Sequence, residues 1–419
     1  MTVSPTLAIN EEAARRHRAG IPTLPLGFGE AGVPVHSSLV DTLAAAAPIA
    51  SYGSSAGIAS LRSAAAGYWR RRNLPTDPEL VVAGPGSKAL LYALLQTVRG
   101  AVALPQPSWV SYAAQSSMLG LAKHHIPTPP GQGGIPDPGR LDYAATQARR
   151  DGWPITAVVI TLPDNPTGTV AAPAMVAALC QVAERHNLLI ISDEIYRDLI
   201  YDPAAPFVSP AELAGDRTVI TTGLSKNLAL GGWRIGVTRL PDNPLGRDLR
   251  DRIVSIGSEI WSSPAHPVQH AAAWAFSEPQ VLRDRIAISR ALHQRISTTI
   301  AGVFNAAGLV LPSPRAGFYL YPDFSRHREH LQRAWSIRTS ADLAAVLLND
   351  HAIATLPGSA FGDHNQTLTL RIATSLLYGT GDEQRETALH HPDPASLPWI
   401  AAHREHLQAA LIALLAAWY

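Results

Sequence analysis

Lys226 stands in TTGLSKNLALGGWRIG, Thr221 to Gly236, with Ser225 just before it and Arg234 eight residues after it. The chain has only three lysines, Lys88, Lys123 and Lys226. A primary amine can condense with an aldehyde to a Schiff base. A neighbouring hydroxyl and the rigid donor fork of a guanidinium can hold a phosphate. Pyridoxal phosphate carries both groups. A lysine on a Gly-rich loop is more often only a surface residue, so the reading depends on what the rest of the chain supplies.

Such a cofactor makes further demands. Its phosphate needs backbone N–H groups, and GPGSKAL opens a helix after a strand, so Gly86 and Ser87 offer a helix N-terminus to an anion. Its pyridinium nitrogen needs a carboxylate, and Asp193 ends LLIISDE. Its ring oxygen needs neutral donors, which Asn165 in DNPTG and Tyr196 can supply. Its ring face needs an aromatic platform, and Trp109 in QPSWVSY can stack there. Each residue also has a plain structural reading as a turn, a cap or core packing.

These motifs must be positioned by a scaffold. From Leu80 onward strands alternate with helices: VVAG, AVALPQ, ITAVVIT, LLIIS and RTVITT are apolar and lack polar alternation. Strands covered on both faces by helices read this way. The pattern predicts a mostly parallel, doubly wound sheet, with ligands at the strands' C-terminal ends. All the motifs above lie at such ends. Before this region, an arm with a short helix over Glu11–Ala19 precedes a helix from Ser38 and another over Gly57–Arg71. The arginines 70–72 read as solvating that last helix's C-terminus. After a helical stretch near 245–305, SPRAGFYLYPDF and TLTLRIATS read as strands of a smaller α+β domain, and TLTLRIATS holds Arg371. Residues 378–400 are polar and Pro-rich and read as a solvated loop. The apolar stretch 407–419 reads as a packed terminal helix. This divides the chain into an arm and part of a small domain (1–47), a large cofactor-binding domain (48–300) and a small C-terminal domain (301–419).

Composition narrows the class. Hydrophobic residues make up 46% and charged residues 16%, enough apolar material for a large core. A net charge of +1 gives no footprint for nucleic acid or an anionic membrane. The single cysteine, Cys180, permits no internal disulfide and lies in an apolar helical pattern, as a small core residue would. The first residues lack a signal-peptide core, and no run approaches the ~18 apolar residues of a membrane span. A cytoplasmic location is expected. The adjacent His390 and His391 are no metal pair, and no metal is expected.

Taken in order, Gly86-Ser87, Pro-x-Trp109, Asn165-Pro-Thr-Gly, Asp193-Glu-Ile-Tyr196, Ser225-Lys226 and Gly-Trp-Arg234 resemble the class I/II aminotransferases. These are the aspartate-aminotransferase-like enzymes of pyridoxal-phosphate fold type I. The likeness runs roughly from residue 25 to 376. It implies a large domain with a mostly parallel seven-stranded sheet, and transfer of an amino group from an L-amino acid to a 2-oxo acid. Lys226 would hold the cofactor and move the proton. Asp193 would pair with the pyridinium, and Tyr196 and Asn165 would bind the ring oxygen. Ser225, Arg234, Gly86 and Ser87 would bind the phosphate. Tyr52, on a Gly/Ser loop, would reach the partner's phosphate, which implies a homodimer with shared sites. Arg371 would clamp the substrate α-carboxylate, helped by Asn165 and the Gly29 backbone.

One stretch departs from the family. Relatives specific for dicarboxylates often carry a cation where this chain reads GSEIWSSPAH, Gly257 to His266, which has none. An acidic donor is therefore not indicated there, and an apolar, aromatic or basic side chain stays open. Lys88 is an alternative cation, though a lysine one position into a helix more often faces solvent. The cofactor motifs alone also leave open elimination, cyclisation or oxidation on the same Schiff base.

Overall fold

The computed structural model describes residues 3–416. Seven strands build the central sheet: β1 (Val81–Gly84), β2 (Ala101–Gln106), β3 (Lys123–Pro127), β4 (Ile155–Thr161), β5 (Leu189–Asp193), β6 (Thr218–Gly223) and β7 (Gly236–Arg239). Their order is β1-β7-β6-β5-β4-β2-β3. β7 runs antiparallel to both its neighbours, and the other pairings are parallel. The central strands are buried along almost their whole length, as their unbroken apolar runs require. Two strands were not legible in the sequence. β3 is an edge strand reading KHHIP and only partly buried, so it lacks an apolar run. β7 is four residues long and follows directly on the lysine loop.

Five helices matter for the site. They are α1 (Pro5–Arg18), α2 (Ser87–Thr97), α3 (Gln280–Ala306), α4 (Asp382–His390) and α5 (Pro398–Leu415). α1 is longer than the expected Glu11–Ala19 because Pro5 opens it, where a missing N–H costs nothing. Arg16 pins it to the rest of the chain, donating to the Leu348 carbonyl and the Asn349 amide oxygen, each at 2.9 Å. The smaller sheet has β8 (Tyr319–Leu320), β9 (Leu356–Pro357) and β10 (Leu370–Ala373) in the antiparallel order β9-β10-β8. Leu24–Pro25 pairs in parallel with Ile353–Ala354, which ties the arm to this half. One apolar core joins Leu24, Leu26 and Val33 to residues from Leu309 to Leu414. α3 bridges two cores. Leu282 packs under the large sheet, and Leu292, Ile296 and Ile300 pack in the small half.

Two expectations need correction. The segment 378–400 is not a plain loop, since α4 occupies its middle. Asp382 and Glu383 sit in that helix's first turn, where carboxylates favour the positive end of the dipole, and Ala388 and Leu389 are buried. The arginines 70–72 do not merely solvate a helix end. Arg72 is enclosed between Asp198 (2.8 Å) and Glu278 (2.6 Å), Arg71 pairs with Glu278, and Arg70 donates to the Thr76 carbonyl. Arg72 thereby joins the end of the helix Ala59–Arg70 to the segment after β5, and with Arg71 to Glu278. Cys180 is buried in the core beneath β4 and β5. The terminal helix runs to Leu415, and residues 417–419 of the stretch expected there lie outside the described residues, as do residues 1–2 of the arm.

Candidate active site

At the C-terminal ends of β1, β2, β4, β5 and β6 lies a cavity of about 580 Å³. Its wall includes Gly29, Ser87, Trp109, Asn165, Tyr196, Ser225, Lys226, Arg234 and Arg371. Residues far apart in sequence thus converge because parallel strands all end on one side.

Asp193 closes β5 and is buried. Its Oδ2 accepts a 2.8 Å hydrogen bond from Tyr112, whose hydroxyl also lies 2.9 Å from Thr161 Oγ1. Its Oδ1 has no partner. Burial pushes this carboxyl up to about 6, although the hydrogen bond from Tyr112 pulls the other way. A buried carboxylate with a free oxygen is costly unless a cationic donor meets it. The Tyr196 hydroxyl lies 2.8 Å from that of Tyr319, and burial holds Tyr196 protonated well above the ordinary tyrosine range.

Lys226 Nζ donates to the Gly29 carbonyl at 2.5 Å. Gly29 must be a glycine, since a Cβ there would come 2.2 Å from the Tyr319 hydroxyl. Gly86 caps α2 at φ +86°, and a Cβ would stand 2.4 Å from Arg234 Nη2. Backbone and guanidinium therefore approach closely beside the N-terminus of α2. Arg234 donates to the Gly231 carbonyl at 2.9 Å.

Arg371 is 1% exposed. It donates to the Gly27 carbonyl, lies 3.5 Å from Asn165 Oδ1, and packs between the Tyr319 and Phe361 rings. Its Nε has no partner, and burial lowers its pKa. None of the ion pairs among the described residues uses Lys88, Lys226, Arg234 or Arg371. The cavity wall thus carries four cations and a helix N-terminus. Asp193, with its unpaired carboxylate oxygen, is not itself in the wall but is joined to it through the hydrogen bond from the wall residue Tyr112. That set fits a ligand with a phosphate, a protonatable ring nitrogen and an aldehyde.

Some residues fall elsewhere than expected. Lys88 is half-buried rather than simply solvent-facing. It lines the cavity, with Nζ 5.1 Å from the centre of the Trp109 ring, and burial with Arg234 and Lys226 nearby lowers its pKa. Tyr52 is 88% exposed and outside its own chain's cavity, which agrees with a reach toward a partner rather than departing from it. Gly86 backs the cavity through Arg234 rather than lining it. Sequence reasoning missed Tyr112, Thr161 and Tyr319, and Thr6, Leu7 and Asn10 of α1. Tyr112 had a signal, since it lies one helical turn after Trp109. The α1 residues had none, because only the tertiary fold brings the arm over the cavity.

The model of the family "Aminotransferase class I and II" matches residues 30–378. The chain belongs to that family. An aspartate aminotransferase of Geobacillus stearothermophilus is 32% identical over 393 residues, covering 90% of this chain and 93% of that protein. One of Bacillus sp. (strain YM-2) is 30% identical, with the same shares. The solved structure of the aspartate aminotransferase from Thermus thermophilus with maleate superimposes with a TM-score of 0.80 at 27% identity, covering 93% of this chain and 96% of that one. This aminotransferase is accordingly a pyridoxal-phosphate-dependent enzyme of fold type I. No helix among the described residues is long and apolar enough to cross a membrane.

Proposed function

We propose that this aminotransferase acts as a cytoplasmic homodimer on acidic amino acids, with Lys226 holding the cofactor and Lys88 meeting the substrate's distal carboxylate. Bound pyridoxal phosphate supplies an aldehyde for covalent capture of the amino group and a ring that draws electrons from the α-carbon. The chain supplies the rest. The N-terminus of α2 at Gly86 and Ser87, with Ser225 and Arg234, binds the phosphate. Asp193 Oδ1 holds a proton at the ring nitrogen, and Tyr112 orients the carboxylate. Tyr196 and Asn165 donate to the ring oxygen, and Trp109 walls one ring face. Arg371 binds the α-carboxylate by its fork, beside the Gly29 backbone. Lys226 Nζ takes the α-proton and returns it, as an amine in a cationic setting can.

The observation that carries the acidic preference is Lys88. Arg371, Arg234 and Lys226 each have a task, and Lys88 is the remaining cation in the wall, half-buried and in no ion pair with a carboxylate. It compensates for the missing cation in Gly257–His266. Relatives named aspartate aminotransferase support the same reading. The family match favours transamination over elimination, cyclisation or oxidation. Two apolar cores support a large and a small half, with bounds that differ from 1–47, 48–300 and 301–419: Leu39 packs with the large half, and Leu292, Ile296 and Ile300 pack with the small one.

Half-reaction spectroscopy over a panel of amino acids tests this. Aspartate and glutamate should convert the bound cofactor fastest. Lys88→Ala should cut kcat/KM for them by about 10- to 100-fold, the worth of one charge-assisted hydrogen bond, with little change for apolar donors. Equal losses for every donor would remove Lys88 from this role.

A further inference from the structure

The segment from Gly27 to Pro34 lines the cavity with Phe28, Gly29 and Glu30, and several of its carbonyl groups accept side-chain hydrogen bonds. Arg371 donates to Gly27, and Lys226 donates to Gly29 at 2.5 Å. Ser375 Oγ donates to Glu30, and Arg285 Nη2 donates to Pro34 at 2.6 Å. Two of these four donors are the groups that the proposed function hands to cofactor and substrate. Once Arg371 turns its fork to an α-carboxylate and Lys226 is engaged, the segment keeps only Ser375 and Arg285 as side-chain donors, beside the buried Ala31 and Val33.

Arg285 comes from α3 and is itself gripped. Glu386 of α4 accepts from both its terminal nitrogens, at 3.1 and 3.3 Å. His390, one turn later, lies 3.0 Å from the same carboxylate. The Arg285 side chain is 7% exposed, so its charge depends on that carboxylate. Burial alone would raise the Glu386 pKa, yet bonds from Arg285 and His390 hold it below the ordinary range. α4 lies beyond Tyr378, where the family match ends.

We propose that Arg285 and Glu386 are positioning residues for substrate binding: α4 latches the Gly27–Pro34 strap through Arg285, so the strap stays in register when substrate removes its other donors. This rests on the roles given above to Lys226 and Arg371. Neither latch residue touches the reacting atoms, so the latch should set KM rather than kcat. The contact is also blind to the substrate's side chain, because the strap faces the α-carboxylate end.

Two variants of the full-length holoenzyme test it, Glu386→Gln and the milder Arg285→Lys. Glu386 is half exposed, so its replacement leaves the core intact. In Glu386→Gln, KM should rise about 5- to 20-fold for acidic and apolar donors alike, with kcat and cofactor affinity within about twofold. Arg285→Lys should fall between parent and Glu386→Gln. Amide hydrogen exchange over residues 26–35 should quicken at least several-fold in Glu386→Gln, a readout that needs no turnover. Unchanged exchange and unchanged KM would overturn the latch. A parent protein that does not transaminate would instead overturn the functional reading, while the exchange result still decides the latch.

Discussion

Asp193 keeps its proton to about pH 6 because it is buried, even though Tyr112 donates to it. An aspartate whose native pKa exceeds its unfolded value stabilises the fold at low pH and loses that contribution as pH rises. Here the loss falls between 3.8 and about 6. Above that window, in the cofactor-free protein, the ionised carboxylate is a burden that only a cationic ring nitrogen relieves. Asp193→Asn should therefore stabilise the cofactor-free protein at pH 7 by about 1–3 kcal/mol. The same change should weaken cofactor binding. Thermal unfolding with and without pyridoxal phosphate reads both effects. An Asn variant that is less stable without cofactor, yet binds it as tightly as the parent, would contradict this account. The charges at 193, 226 and 234 stood out in the sequence because each lies at a strand end or in a loop, and Arg371 stood out as a charge within an otherwise apolar strand. Their partners were not. Tyr112, Thr161 and Tyr319 act through hydroxyls whose reach depends on strand register, which no local pattern specifies.

The strand-loop-helix units of β1, β2, β4, β5 and β6 carry most of the site, and they were the most legible elements. Buried parallel strands need unbroken apolar runs, and the Gly-rich loops after them stand out. The β1–α2 turn shows why such a loop cannot vary. Gly86 combines a positive φ with a close approach of Arg234. Gly86→Ala should strain the turn and displace the guanidinium. Cofactor affinity should drop by about tenfold or more, with the fold kept, since the strain is local. A fluorescence titration of cofactor into the variant measures this, and parental affinity would refute it. Elements set by tertiary contacts were harder to read. β3 is an edge strand rich in histidine, α1 owes its place to Arg16, and α4 holds only a small buried face within a polar segment. In each case a few long-range contacts outweigh a weak local pattern.

At the scale of the whole molecule, the site as one chain presents it lacks Tyr52, which stands 88% exposed on its loop. In the proposed homodimer that hydroxyl completes the partner's phosphate cradle. Mixing the inactive variants Lys226→Ala and Tyr52→Ala provides a direct check. In a hybrid dimer one site carries both changes and the other carries neither. Random reassortment should restore roughly a quarter of parental activity, as shared sites in a two-fold dimer require. No recovery after confirmed subunit exchange would mean that Tyr52 does not serve the neighbouring site.

The central claim is that one nitrogen atom, Lys226 Nζ, carries the cofactor. Borohydride reduction of the pyridoxal-phosphate-loaded protein, followed by peptide mapping, tests it most directly. The account predicts the cofactor's mass on the peptide containing Lys226, one per chain, and none after Lys226→Ala. Label on Lys88 or Lys123 instead, or a protein that takes up no label at all, would contradict it.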